Sequence, residues 1–556
     1  MMTMLDRPAK ETAHFHGKSI DEFQRSEDGA AGYRYSRRIE IVVFLVAFAS
    51  YIALAMWMRA GLHYAIGDSL SRNQSARTVL FGSQPKLSAL GFVWPPLPTM
   101  AEFPIVAILE PFGHAAFAGP IMSAIFGAAT VVVLLRLSQQ LGVTPWKGWL
   151  AIGLYAVNPV VGFHSATGMS ESPYFFFIAV LAVGFSGWIL RRRLPDLVVA
   201  GVGLLGMVLT RIETIFLIPM VGFAACLMVQ GFRQRARVFT LIIMPAVFGQ
   251  LVWMMAAKLI VSNFLYSIEN PGAVVGGPSK GARWMADDRT LMYCIKYAAK
   301  LSLIHGVGFV ALTAVAIVLA LERGRHFAFG LIMVIAGCAF FPAFQALLIF
   351  KDRSWGDPRY FSTIVIFTVI LALWMMQRPP PHHVPAAKSG LAWSIITVAI
   401  SALALAANAI SGTLGLANPT TAAIEQEWVV FNAIAGRPRP SGEPEPNEIR
   451  IDRFTEIAKL IDSKLALNDN ELVFVEVRTA FPVMLWTKYP DRFVGDSDDR
   501  FEPLTNSGGG TIRYAITSRS AFASPLTAML NRGGGWRPIA DSGAAQLWER
   551  VDLNNG

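Results

Sequence analysis

The sequence predicts an α-helical polytopic membrane protein, with about 11 transmembrane helices at one per long apolar run and a small C-terminal extracytoplasmic α/β domain. Three observations predict it. Of 556 residues, 54% are hydrophobic and only 15% charged, against about 25% charged in a soluble protein; the mean hydropathy is +0.46. Apolar runs of about 20 residues recur, each long enough for a hydrocarbon core of about 30 Å. Basic clusters occupy alternate loops, as the positive-inside rule requires. The formal charge of +10 therefore speaks to membrane orientation, and no nucleic-acid partner is expected. Of three cysteines, Cys226 and Cys338 fall in apolar runs and Cys294 beside a loop, so no disulfide framework is indicated.

Residues 1–38 form a polar tail ending in Arg34, Arg37 and Arg38. It is too long and polar for a signal-peptide n-region, so the first apolar run, 39–58, reads as an uncleaved anchor. The basic cluster puts the N-terminus in the cytoplasm and the large first loop, 59–116, outside. That loop holds Asp68, Arg72, Arg77, Lys86 and the rigid Trp94-Pro95-Pro96. Within it, 97–111 is apolar but short, bracketed by prolines and carries Glu102 and Glu110, so an interfacial or re-entrant helix is expected. Asn73-Gln74-Ser75 is a glycosylation sequon, a three-residue pattern that recurs by chance.

Further spans are expected at 117–137, 149–163, 174–190, 197–210, 215–230, 238–261, 301–321, 327–350, 361–376 and 391–410. Their inner ends are marked by Arg136 and Lys147, Arg191 to Arg193, Arg233 to Arg237, Arg323 and Arg325, and Arg378. The division is thus a tail (1–38), a transmembrane module (39–410) and an outer α/β domain (411–556). In the last, 471–477 and 511–516 read as strands, 536–539 and 546–551 as a closing hairpin, and 451–465 as a helix.

Cations in outer loops depart from the positive-inside pattern: Arg72, Arg77 and Lys86; Arg211; Lys280, Arg283 and Arg289; Lys351, Arg353 and Arg359. An anionic ligand explains them; so does the translocation of long loops regardless of charge. Ionisable groups near span ends are costly unless paired. Glu171, Arg211, Glu213, Asp357 and Arg359 should therefore converge with the first loop on one outer-facing cavity, or form ordinary interfacial ion pairs. His63 and His164 read as interfacial side chains, and no clustered ligand pattern suggests a metal.

The order of motifs is informative. Gly67-Asp68 follows the first span, and Trp94-Pro95-Pro96-Leu97 leads into an apolar helix. NPVVGFHSATGMSESPYFFF (158–177) places a proline in the third span and an acid before the fourth; LTRIETIFLIP (209–219) and Arg359-Tyr360 follow. Over residues 39–410 this series resembles the GT-C glycosyltransferases, in the branch of protein O-mannosyltransferases and the aminoarabinose transferase of lipid A. The resemblance implies an integral membrane enzyme, in a bacterial plasma membrane, that moves a hexose or pentose from a polyprenyl-phosphate donor to a glycan, lipid or protein acceptor at the outer face. No cofactor is expected; metal dependence varies among the family's branches, and the lack of a clustered His/Asp ligand pattern leads us to expect no required metal.

By the resemblance Asp68 is the general base; an Asx turn after Gly67 is the alternative. Lys86, Arg353 and Arg359 would hold the donor phosphate with Tyr360 as a hydroxyl donor, Arg359 foremost because its planar fork grips phosphate by two bonds. Glu171 would hold the acceptor or orient a cation. Glu102 would be a second carboxylate, and Arg72, Arg211, Glu213 and Asp357 would line the cavity. Asp68 is followed by Ser69 where protein O-mannosyltransferases have an Asp-Glu pair, and the C-terminal domain is short for the aminoarabinose-transferase analogy. A transporter or flippase of lipid-linked or anionic solutes competes, but inverted repeats and broken midplane helices are not evident. A non-catalytic envelope scaffold would not need Asp68.

Overall fold

The computed structural model describes residues 35–551 except 270–289, 323–324, 352, 355, 378–387, 423–425, 439–446, 469, 519–524 and 533–534. Lys280, Arg283 and Arg289 lie outside the described residues. Among those described, eight helices are long and apolar enough to cross a membrane, and the chain is an integral membrane protein. Helix α1 (Arg37–Met56) is capped by Ser36, whose side chain accepts from the Ile39 amide. Two non-spanning helices follow, α2 (Gly67–Phe81) and α3 (Leu97–Leu109), and then α4 (Ala118–Gln140).

The expected third span is instead two short helices, α5 (Pro145–Ala156) and α6 (Pro159–Ala166). Proline cannot continue a helix, so the chain restarts at Pro159, and the Asn158 side chain caps it by accepting from the Val160 amide at 2.9 Å. Next come α7 (Glu171–Arg191), α8 (Leu194–Val208), α9 (Thr214–Cys226) and α10 (Phe232–Val261). Helices α8 and α9 are apolar but only 15 and 13 residues long, so the apolar runs are not matched one for one by full-length crossings. Gly184 and Gly203 let α7 and α8 touch backbone to backbone: an added Cβ at Gly184 would meet the Ala200 nitrogen at 2.3 Å, and one at Gly203 the Leu181 nitrogen at 2.6 Å.

Helices α11 (Leu291–Glu322), α12 (Arg325–Phe350), α13 (Thr363–Met375) and α14 (Lys388–Leu416) complete the bundle. Every residue of α13 is buried, as befits a helix that is hydrophobic all round. It packs against α5, α7, α11, α12 and α14.

After α15 (Trp428–Ile434) and α16 (Asn447–Leu465), the chain forms a five-stranded sheet in the order β2-β1-β3-β5-β4. The strands are β1 (Val473–Val475), β2 (Phe493–Val494), β3 (Tyr514–Ser518), β4 (Trp536–Asp541) and β5 (Ala545–Arg550). β1 is parallel to β2 and β3, while β5 is antiparallel to β3 and β4. Side chains alternate across a strand: Val473 and Val475 join the core with Ile457 and Ile461 of α16, and Phe474 joins the other with Leu526 and Leu530.

Helix α17 (Val477–Trp486) packs on α2. Arg77 forks onto Glu110 at 2.7 and 2.5 Å and also donates to the carbonyls of Met484 and Thr487. Ser83 donates to Asp498 at 2.6 Å, and Lys86 pairs with Asp499 at 2.5 Å. A polar helix buried on both sides suits a place between two domains. Asn73 is fully buried there and donates to the Ala116 carbonyl at 2.9 Å. Its sequon therefore offers no accessible amide.

Candidate active site

The N-terminus of α2 meets the turn before α13. Ser69 is buried against two glycines, and Asp68 precedes it. A Cβ on Gly168 would lie 2.0 Å from the Ser69 hydroxyl oxygen and one on Gly119 2.9 Å from it. Gly168 also has φ +80, a conformation that only glycine adopts freely. Nothing in the sequence singled out either glycine, because what they accommodate is distant in the chain.

Asp68 accepts a hydrogen bond from Arg359 Nη2 at 2.8 Å. The carboxylate therefore bonds across the chain, not back to its own turn. Its side chain is 22% exposed and that of Arg359 11%. Arg359 Nε lies 3.8 Å from Asp357, and its guanidinium sits 5.2 Å from the Tyr360 ring centre. Asp357 also caps the Pro358–Phe361 turn by accepting from the Arg359 amide at 3.0 Å. Burial pushes the Asp357 carboxyl above its usual range, against the opposing pull of Arg359.

A second group adjoins the first. Arg211 donates to Glu171 at 2.8 Å and to Glu213 at 2.5 Å. Its guanidinium stands 5.6 Å from the Tyr174 ring centre and 5.3 Å from that of Tyr360. Tyr360 thus joins the two arginines, and Tyr174 shares a 2.8 Å hydrogen bond with Thr214. Four segments far apart in sequence are brought together at one end of the bundle.

Two expected phosphate ligands are elsewhere. Lys86 is paired with Asp499 of the C-terminal domain, and Arg353 is exposed and donates to the Glu269 carbonyl at 3.1 Å. Arg359 and Tyr360 alone of that set stand in the cluster. Arg72 and Glu102 are buried beside it: Arg72 Cζ lies 4.9 Å from the Trp94 ring centre, and burial pushes the Glu102 carboxyl well above its usual range, opposed by Arg72.

His164 is not interfacial. It is buried between the rings of Phe163 and Phe175, within electrostatic reach of Glu171, Arg359 and Arg211. His305, which the sequence did not mark, lies buried on α11 with Nε2 3.1 Å from the Pro358 carbonyl, where it steadies the turn carrying Arg359. Among the described residues no group of three or more His, Cys, Asp or Glu is placed to hold a metal.

No protein-family model matches the sequence, and no curated protein does. Solved structures do match in shape. ArnT from Cupriavidus metallidurans bound to undecaprenyl phosphate aligns with TM-score 0.54 at 13% identity, over 92% of this chain and 98% of that one. Its apo state aligns with TM-score 0.50 at 14% identity, over the same shares, 92% and 98%. The mycobacterial arabinofuranosyltransferase AftD gives TM-score 0.46 at 15% identity, over 93% of this chain and 42% of that one. The fold is the GT-C fold.

Proposed function

We propose that this GT-C-fold protein is a membrane glycosyltransferase that moves a sugar from a polyprenyl-phosphate carrier to an acceptor hydroxyl at the outer face of the membrane. The observation that carries the proposal is the Asp68–Arg359 pair, 2.8 Å long, at the end of an apolar bundle. An ionised carboxylate accepts a proton; a guanidinium fork binds phosphate. The pair places the two needs of the reaction side by side.

In the reaction, Asp68 takes the proton of the acceptor hydroxyl, whose oxygen forms the new bond at the anomeric carbon. The bond from that carbon to the phosphate oxygen breaks, and its electrons leave with the lipid phosphate. Arg359 stabilises that departing charge, because a donor already in place needs no reorganisation as charge develops. An arriving phosphate also competes with Asp68 for Arg359 Nη2, which frees the carboxylate to act as base. Arg211, held by two carboxylates, fixes Tyr360 and Glu171 around the pair. The basic inner loop ends support a cytoplasmic N-terminus and a C-terminal domain on the outer side of a bacterial plasma membrane.

The test is transfer from undecaprenyl-phosphate sugars, with wild type beside Asp68→Asn. Loss of a general base lowers the rate by about 10²–10⁴-fold; undiminished transfer by a folded Asp68→Asn protein removes it from that role. Arg359→Ala is expected to weaken donor binding, measured directly with the lipid. Movement of the lipid across the bilayer with no transfer product would favour a flippase.

A further inference from the structure

One turn along α2 from Asp68 lies Arg72, and near it on α3 lies Glu102, two buried ionisable groups that the reaction leaves without work. Arg72 is 4% exposed and Glu102 0%. Among the described residues, Arg72 Nε and Nη1 and both oxygens of Glu102 have no hydrogen-bond partner. The two side chains are within electrostatic reach, yet neither satisfies the other. A guanidinium and a carboxyl buried side by side with unsatisfied polar atoms are costly. The arrangement is completed by a ligand that donates and accepts at once.

That requirement selects a chemistry. Burial favours the neutral form of Glu102, whose carboxyl both donates and accepts beside the donor Arg72. Because the transferase reading assigns the carrier phosphate to Arg359, the partner left for this pair is a neutral polar group. A hydroxyl serves both, giving its hydrogen to the carboxyl and its lone pairs to the guanidinium. Arg72 covers one face of the half-buried Trp94 indole, and the other face offers a plane suited to the apolar C–H face of a sugar ring. The spacing fits as well. Asp68 and Arg72 are i and i+4 on one helix, hence on one face and about 6 Å apart along the axis. Glu102 lies with Thr99 and Val106 on the buried face of α3, which packs against α2.

We propose that Arg72, Glu102 and Trp94 form the subsite that recognises the hydroxyls of the donor's glycosyl ring, a neutral hexose or pentose, while Asp68 and Arg359 attend to the bond being exchanged. This rests on the transferase reading above. A glycan acceptor would offer the same chemistry, and the experiment separates the two sources.

Full-length protein in lipid nanodiscs is titrated with bare undecaprenyl phosphate and with undecaprenyl phosphates carrying a hexose or a pentose. Wild type is expected to prefer at least one sugar-bearing lipid. Glu102→Gln and Arg72→Lys are expected to cut that preference by about tenfold or more, the effect of losing hydrogen bonds to charged groups, and to leave bare undecaprenyl phosphate bound as before. Glu102→Met, which removes the buried acid, is expected to hold or raise the Tm of ligand-free protein; a clear fall would mark a structural pair and overturn the subsite. An unchanged preference in the variants also overturns it, and a raised acceptor KM alongside would assign the subsite to the acceptor. Wild type that binds both kinds of lipid equally overturns this proposal alone. Wild type that binds neither overturns the transferase reading with it.

Discussion

Arg211 and Arg359 look alike in sequence, each near a span end and each beside acids. Their surroundings separate them. Arg211 is enclosed by Glu171, Glu213 and two tyrosine rings, whereas Arg359 reaches a carboxylate that remains 22% exposed. Removing one partner of a buried pair leaves the other charge uncompensated, at a cost of about 3–5 kcal/mol. Arg211→Met, which strands two buried carboxylates, should therefore lower thermal stability sharply, while Arg359→Met, which strands buried Asp357 alone, should lower it less and remove transfer. Equal losses of Tm in the two variants would contradict this division. The convergence of Glu171, Arg211, Glu213, Asp357 and Arg359 was legible in the sequence, because charges at span ends must find one another. The fate of Lys86 was not. Its partner Asp499 is 413 residues away, in a domain whose docking leaves no local pattern in the first loop.

Among the elements, α2 carries the reaction, and two glycines set where it begins. Gly168→Ala places a methyl in the space of the Ser69 hydroxyl and holds an L-residue at φ +80, a backbone cost of about 1–2 kcal/mol. The expected result is a fall in kcat larger than the fall in stability warrants, because the start of α2 must shift and Asp68 with it. Ser69→Gly in the same chain should recover part of the kcat, since neighbouring substitutions couple. No recovery would mean that strain at residue 168 acts alone. Elements with a clear period were readable in advance: the expected helix at 451–465 lies within α16, and the expected hairpin is the β4–β5 pair. Strand β2 has only two residues, too few to show a period, and α17 contains Pro482, which argues locally against a helix.

At the scale of the whole molecule, the sheet domain is fastened to the bundle through α2, and part of the fastening is acid-sensitive. Burial raises the Asp498 carboxyl, but hydrogen bonds from Arg500 and Ser83 outweigh it and hold the group below its usual range. A depressed folded pKa contributes stability that is complete above the unfolded value, about 3.9, and is lost as pH falls through the lower folded value. Arg500 belongs to the same domain as Asp498, so only the Ser83 bond links this proton to docking. Spin labels on α2 and α17 should report an unchanged separation from pH 7 to about pH 4 and a modest widening below it. Asp498→Asn should weaken the docking already at neutral pH; a separation indifferent to both changes would dismiss this clamp. The buried position of α13 has a consequence for the lipid. With the turn before it, the continuous segment Pro358–Met375 has 18 residues, about 27 Å against a hydrocarbon core of about 30 Å, and its neighbours shield it from acyl chains. Hydrophobic mismatch acts on helices that face lipid, such as α1 with Val42, Leu45 and Val46 exposed, and not on α13. The height of Arg359, one turn ahead of α13, is thus fixed by protein and not by membrane thickness. In nanodiscs of increasing acyl length the donor KM should change while kcat stays constant, because the carrier phosphate must travel to a centre that does not move to meet it.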